Sequence, residues 1–229
     1  MIVLLQWGTQ TSGRPMPMPS QTQQTKRPSG RPGEGKNDDA KAKILYQART
    51  AFAELGYVAT TYRELQARTG YTSATLYHYF PSKIQLYAAV LDDVTDVMYN
   101  KWILPGVKNC ITLFDYVDAF FSTVKDMHEA EKSLTLFVLG TRIDAQRHAE
   151  VAALHSPNSK LRYALIERIA DSGIRDGVLT IKNRAVFVDT FDAITAGLII
   201  ETADPIRYAN ALVGFRGLLQ ATLIQPHNS

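Results

Sequence analysis

Residues 44–91 read ILYQARTAFAELGYVATTYRELQARTGYTSATLYHYFPSKIQLYAAVL, and their periodicity decides the fold. Ile44, Leu45, Ala48, Phe52 and Leu55 fall at i, i+1, i+4, i+8 and i+11, one apolar stripe on a helix. Gly56 follows, a residue suited to the position just past a helix C-terminus. Thr60 or Thr61 then caps a second helix with Leu65 facing inward, and Glu64, three residues after Thr61, predicts a capping box. Gly70 ends it about two turns later. Thr72 or Ser73 opens a third short helix in which Leu76 and Phe80, four apart, face the same core. Pro81-Ser82 closes that helix and starts the next. The pattern is three short helices joined by tight turns.

Downstream, apolar residues repeat at Leu86, Tyr87, Val90, Leu91, Val94, Val97 and Met98, with Asp92, Asp93 and Asp96 opposite. This predicts a long connecting helix from Ser82 to about Trp102, ending before Pro105. Further helices are predicted over 113–130, 133–154, 158–172, 184–203 and 205–223, separated by Ser156-Pro157, Gly173 to Gly177 and Asp204-Pro205. Strand-like alternation is confined to Val178 to Ile181, and no internal repeat is visible. The fold class is all-α, with nine or so helices.

Upstream the text differs. Gly8 to Asp39 holds five prolines and almost no large apolar side chain after Met18, so it cannot bury enough surface to offset the entropy of ordering. The organisation expected is a disordered basic, Pro-rich arm over 1–39, a three-helix unit over 40–85 and a larger helical domain over 86–225. The opening MIVLLQW is too short to span a bilayer and lacks the features of a signal peptide, and no later window is apolar enough for a membrane helix. A cytoplasmic protein is expected. Its single cysteine, Cys110, excludes an internal disulfide.

Charge is placed unevenly. From Lys26 to Lys83 ten Lys/Arg oppose five Asp/Glu, net +5, while from Ile84 onward fourteen oppose seventeen, net −3. A polyanion is therefore expected to bind the first third. Two helices joined by a Gly-containing turn, the second short and rich in hydroxyl and small residues, present one helix to a DNA major groove. With Leu76 and Phe80 inward, Thr72, Ser73, Ala74, Thr75, Tyr77, His78 and Tyr79 remain on or near the outer face. Hydroxyl and imidazole groups there bond phosphates or base edges, and small residues permit close approach. Thr61 and Lys83, at the starts of the flanking helices, would contact phosphates. Lys26, Arg27 and Arg31 of the arm would track a phosphate strand or enter the minor groove, or else simply solubilise the chain.

Residues Ile44 to Leu91 resemble the N-terminal domain of TetR-family (tetracycline-repressor-like) regulators. Phe52, Gly56, Tyr57, Thr60, Thr61, Gly70, Thr75, Leu76, Tyr77, Tyr79, Phe80, Ser82 and Lys83 stand at the places of the family pattern. Tyr71-Thr72 replaces its usual Val-Ser. The resemblance implies backbone contacts from Thr61, Thr72, Tyr77, His78 and Lys83 and base reading from Ser73, Ala74 and Thr75. It also implies a ligand-responsive repressor that binds a pseudo-palindromic operator as a homodimer, through a four-helix bundle built from the last two helices. The small residues Ala193, Ala196, Gly197, Gly214 and Gly217 fit such close packing.

A small-molecule effector would lie among the middle helices, where Trp102, Phe120, Phe121, Met127, His128, Phe137, Thr141, Arg142, Tyr163 and Phe191 are candidates by residue type. No cofactor or metal ligand set is expected. The chain has no phosphate-binding loop, nucleophile elbow, zinc-protease motif or paired-cysteine site, so an enzyme is not expected. The competing reading is a helical scaffold that binds nucleic acid nonspecifically.

Overall fold

The computed structural model describes residues 34–154 and 157–223. Every regular element among them is helical. The order is α1 (Glu34–Ala59), α2 (Tyr62–Thr69), α3 (Ser73–Tyr79) and α4 (Lys83–Asp96), then a π-helical segment (Val97–Ile103) and α5 (Leu104–Val107). There follow α6 (Leu113–Ala130), α7 (Lys132–Arg147), α8 (Ala149–Ala152), α9 (Pro157–Arg175), a 3-10 turn (Ile181–Asn183), α10 (Arg184–Glu201) and α11 (Pro205–Leu223). No described helix is long and apolar enough to cross a membrane.

The apolar stripe of α1 is buried as its period requires, with Ile44, Ala48 and Phe52 in the core. Leu55, assigned to the same stripe, is exposed instead. The helix starts at Glu34, within the stretch expected to be arm. The rest of the predicted arm, including Lys26, Arg27 and Arg31, lies outside the described residues. Gly56 interrupts α1 with φ 77° and ψ 176°, a region open essentially to glycine, and one further turn follows it.

Ser/Thr caps start the next three helices. Thr61 Oγ1 accepts from the Glu64 N–H, Thr72 Oγ1 from the Thr75 N–H and Ser82 Oγ from the Gln85 N–H. The predicted capping box at Thr61 forms only by half, because the Glu64 carboxylate accepts from Arg68 Nε at 2.7 Å. A complete box occurs at Thr112 and Asp115, which start α6. Gly70 takes the left-handed conformation at the end of α2, φ 74°. Leu76 and Phe80 are buried. An apolar side chain so buried contributes about 1.5–3 kcal/mol, ample to hold a helix of two turns.

Three boundaries differ from the sequence reading. The connecting helix passes Pro105: the π-helical turns shift the register, with the Leu104 N–H bonded to the Tyr99 carbonyl, and Pro105 falls in the first turn of α5, where an N–H is dispensable. The helix predicted over 133–154 breaks at His148, which is extended and sets its ring at a tilt against Tyr57, centroids 5.4 Å apart. Val178 to Ile181 forms no strand, since the Val178 and Leu179 N–H groups both bond the Gly173 carbonyl and close α9.

Helix α1 packs on α2, α4 and most extensively on α7, so the short helices are seated on the larger domain. Phe52, Tyr57, Tyr87 and Phe137 form one ring cluster at that junction, with centroids 4.8–6.3 Å apart. Arg49, buried in α1, bonds Glu131 and Ser133 and pairs with Asp93, clasping three elements. A second cluster, Phe120, Phe121, Phe187, Phe191 and Phe215, joins α6 to α10 and α11.

Candidate nucleic-acid interface and interior cavities

Helix α3 is carried on its buried Leu76 and leaves Thr72, Ala74, Tyr77 and His78 exposed, with Ser73, Thr75 and Tyr79 half-buried beside them. Residues Ser73–Tyr79 include no carboxylate. Thr72 and Thr75 hydroxyls lie 2.9 Å apart, each with further bonding capacity. Thr61 is exposed at the start of α2, one helix away. All nine sequence-predicted interface residues therefore surround α3 or the adjoining helix starts, but they are not equally free.

Tyr77, half-exposed, stacks on Tyr62 at 4.2 Å and 14° between ring planes. Tyr62 in turn donates its hydroxyl to the Phe80 carbonyl at 2.5 Å, and burial, reinforced by Tyr77, pushes that phenol up to about 12. It stays a donor over any physiological pH. Tyr79 donates to the Asn37 side chain, tying α3 to the first turns of α1. Lys83 directs Nζ to the carbonyls of Tyr57 (2.9 Å) and Val58 (3.2 Å) and lies over the Tyr57 ring. Two of its three donors thus close the end of α1, leaving one for a phosphate.

The sequence reading overlooked Tyr62 and Lys43. Tyr62 stands next to Thr61 and looked like an ordinary helix residue. Lys43 precedes the apolar stripe, yet its ammonium sits over the Tyr71 ring at 5.3 Å, adding positive charge beside the start of α3. An aromatic immediately before the α3 cap is the signal that could have revealed it.

The interior candidates separate. Phe121, Met127 and Phe137 are closed in the core, and His128 is buried with Nδ1 2.6 Å from the Thr135 hydroxyl. Burial, with help from Lys132, pushes the His128 imidazole down. Trp102 is half-buried, and Tyr163 is exposed beneath the Arg162 guanidinium. Thr141 and Arg142 line a cavity of about 210 Å³ with Leu91, Val138, Val151 and Arg162. Phe120 and Arg142 line an adjoining recess with Met98, Tyr99 and Ile103 of the π-helical segment. Phe191 faces a groove of about 370 Å³ along α10 and α11.

Thr141 also belongs to a buried polar chain. The Tyr87 hydroxyl lies 3.1 Å from both Thr141 Oγ1 and Asp144 Oδ2, and Asp144 Oδ1 accepts from the Tyr57 N–H at 3.4 Å. The cavity wall is thereby connected to α4 and to the kinked end of α1. No group of His, Cys, Asp and Glu able to hold a metal ion occurs among the described residues.

Residues 44–90 match the family described as bacterial regulatory proteins, TetR family. The chain is 27% identical over 189 residues to the HTH-type transcriptional activator FasR of Mycolicibacterium smegmatis, covering 80% of this chain and 79% of that one. It is 39% identical over 59 residues to the HTH-type transcriptional repressor KstR2 of the same organism, 26% of this chain and 29% of that one. Among solved structures, the ketosteroid transcriptional regulator KstR2 of Mycobacterium tuberculosis superposes with TM-score 0.60 at 17% identity, covering 81% of this chain and 95% of that one. A transcriptional regulator of Saccharomonospora viridis in complex with choline gives 0.69 at 14%, covering 82% and 100%. At these identities the structural likeness is one of fold.

Proposed function

We propose that this chain, a TetR-family transcriptional regulator by its residues 44–90, binds a pseudo-palindromic operator as a homodimer and is released from it by a small-molecule effector. The observation that carries the reading is α3: a helix held from beneath by Leu76, free of carboxylates, and presenting Thr72, Ala74, Tyr77 and His78 outward. Ser73, Ala74 and Thr75 read base edges at its N-terminal end. Thr61, Thr72, Tyr77, His78, Tyr79 and the remaining donor of Lys83 hold the backbone. A cytoplasmic location and a non-enzymatic role follow from the function. Repression is the sense that the resemblance favours.

The dimer reading is supported by α10 and α11. Both bury one apolar side in the chain's own core, yet Val186, Ile200, Ile206 and Val213 remain more than half exposed. Large apolar side chains left in water along two successive helices are consistent with a surface covered by a partner. Two copies joined there would present two α3 helices to successive faces of a palindrome. The effector reading rests on the cavity beside Thr141. A ligand acts only through a difference in its affinity for the two arrangements of the dimer, and the Thr141–Tyr87–Asp144–Tyr57 chain offers a route from the cavity wall to the seat of α2 and α3.

The test is selection of genomic fragments by the purified protein, followed by competition between the selected and random duplexes. The selected duplex should win at least tenfold, and Tyr77→Ala, which removes a backbone contact, should weaken selected and random duplexes alike by about 1.5–3 kcal/mol. Lys83→Met should weaken all duplexes alike and lower the salt slope by about one. Equal binding of specific and random DNA, indifferent to Tyr77→Ala, returns the chain to a nonspecific helical scaffold. Fusing the selected promoter to a reporter decides between repression and activation.

A further inference from the structure

The cavity beside Thr141 carries two arginines, Arg142 and Arg162, in its wall. Arg142 Nη2 and Arg162 Nε both lie 2.8 Å from the same oxygen, Oδ1 of the buried Asp192. One carboxylate therefore serves two guanidinium groups. Arg162 Nε is closed off from solvent and, despite its nearness to Asp192, has no aligned hydrogen-bond acceptor. The cavity of about 210 Å³ and its recess share Val138, Arg142 and Arg162 as common wall, and neither is lined by a carboxylate among the described residues. An excess positive charge, only partly satisfied, thus sits where the two spaces meet. Partly buried guanidinium groups in that condition favour an anion, which gains charge-assisted hydrogen bonds from both.

The recess beyond is of opposite character. Met98, Tyr99, Ile103, Phe120, Val124 and Ile199 line it, and its free volume of about 30 Å³ admits only a couple of water molecules. Three of those residues belong to the π-helical segment, a geometry that is rare and concentrated at functional sites. An apolar chain entering the recess would have to move that segment, which continues directly from α4.

We propose that this cavity binds an organic monoanion bearing an apolar chain, its charged group held between Arg142 and Arg162 in competition with Asp192 and its chain directed into the recess beside the π-helical segment. The assignment rests on the effector reading above and adds the chemical class of the ligand. Asp192 acts as the resident counter-ion, occupying the two guanidinium groups until the ligand displaces it. The site then discriminates in two ways: a cation is repelled by the arginines, and a short anion forgoes burial of the chain.

The experiment is titration of the purified full-length protein, without DNA, by octanoate, octanol, octylammonium and acetate, followed by calorimetry and by the shift in thermal unfolding. Octanoate should bind once per chain, at least tenfold more tightly than octanol or acetate, and octylammonium should not bind. Asp192→Asn keeps the shape of the counter-ion and removes its charge, so octanoate affinity should rise by about tenfold. A merely structural Asp192 would lose stability without that gain. Arg142→Met with Arg162→Met should abolish the preference of octanoate over octanol. Equal binding of acid and alcohol, preference for the ammonium, absence of octanoate binding, or unchanged octanoate affinity in Asp192→Asn would each overturn the proposal. Operator affinity is measured separately: octanoate that binds as described yet leaves the operator complex unaltered sustains the site and defeats effector-driven release.

Discussion

At the scale of single residues, one missing side chain and one buried one set what the fold tolerates: Gly56 in the kink of α1, and His128 of α6 against Thr135 of α7. Gly56 occupies a backbone conformation that a Cβ makes costly, although the nearest atom to such a Cβ, Asp144 Oδ1, is 3.8 Å away. The penalty for Gly56→Ala is therefore conformational rather than steric. Chemical denaturation should show a loss of about 1–3 kcal/mol, and a neutral result would mean that the backbone there relaxes freely. His128 makes the second residue-level case. Its folded-state pKa lies below the ordinary value of about 6.5, chiefly through burial. The stability it contributes is complete above the unfolded pKa, and it declines as pH falls from there toward the folded value, because the unfolded chain takes up the proton first. The urea midpoint should drop between pH 7.5 and 5.5, and the drop should shrink in His128→Gln. An equal drop in both proteins would assign the acid sensitivity elsewhere.

At the scale of elements, the polar chain through Tyr87 joins three helices that are far apart in sequence. Tyr87 is fully buried among rings, so Tyr87→Phe keeps the packing and removes only the hydroxyl shared by Thr141 and Asp144. Its cost should be about 1–3 kcal/mol, since a buried carboxylate oxygen loses its donor. Asp144→Asn should be costly for the same reason, and the double variant should lose less than the sum of the two. Strict additivity would show that the groups do not form one network. None of this was legible in the sequence. Asp144 and Tyr87 are separated by 57 residues, and each sits where a helical period asks only for a turn or a core position. The helices themselves were far more legible: 113–130 and 205–223 were read at their observed ends, because Thr112 and Asp115, and Asp204-Pro205, mark the boundaries locally. Pro105 misled because its effect depends on the π-helical register upstream, which no composition rule announces. At the candidate interface, the outward placing of Thr61 and of the α3 residues follows from caps and spacing, whereas the neighbouring positions of Tyr62 and Lys43 required the third dimension. The Arg142–Asp192–Arg162 cluster was hidden likewise, its members drawn from three helices.

At the scale of the whole molecule, the proposed pairing of two copies rests on the exposed apolar side chains of α10 and α11. Val213→Glu places a charge on that side, at a residue 72% exposed, so the fold of the chain should survive. If α10 and α11 form the pairing surface as proposed, light scattering should report a dimer for the unaltered protein and a monomer for the variant, and operator affinity should fall by at least about a hundredfold as the second half-site is lost. A dimeric Val213→Glu protein would locate the partner surface elsewhere. That same apolar side carries a consequence for dosage. If pairing is the condition for gripping DNA, the competent species forms by an encounter between two copies, and in the range where single copies predominate its amount follows the square of the total. Halving the cell's stock would then remove about three quarters of the gripping form, so that dilution at cell growth or division acts on the promoter as a signal in its own right.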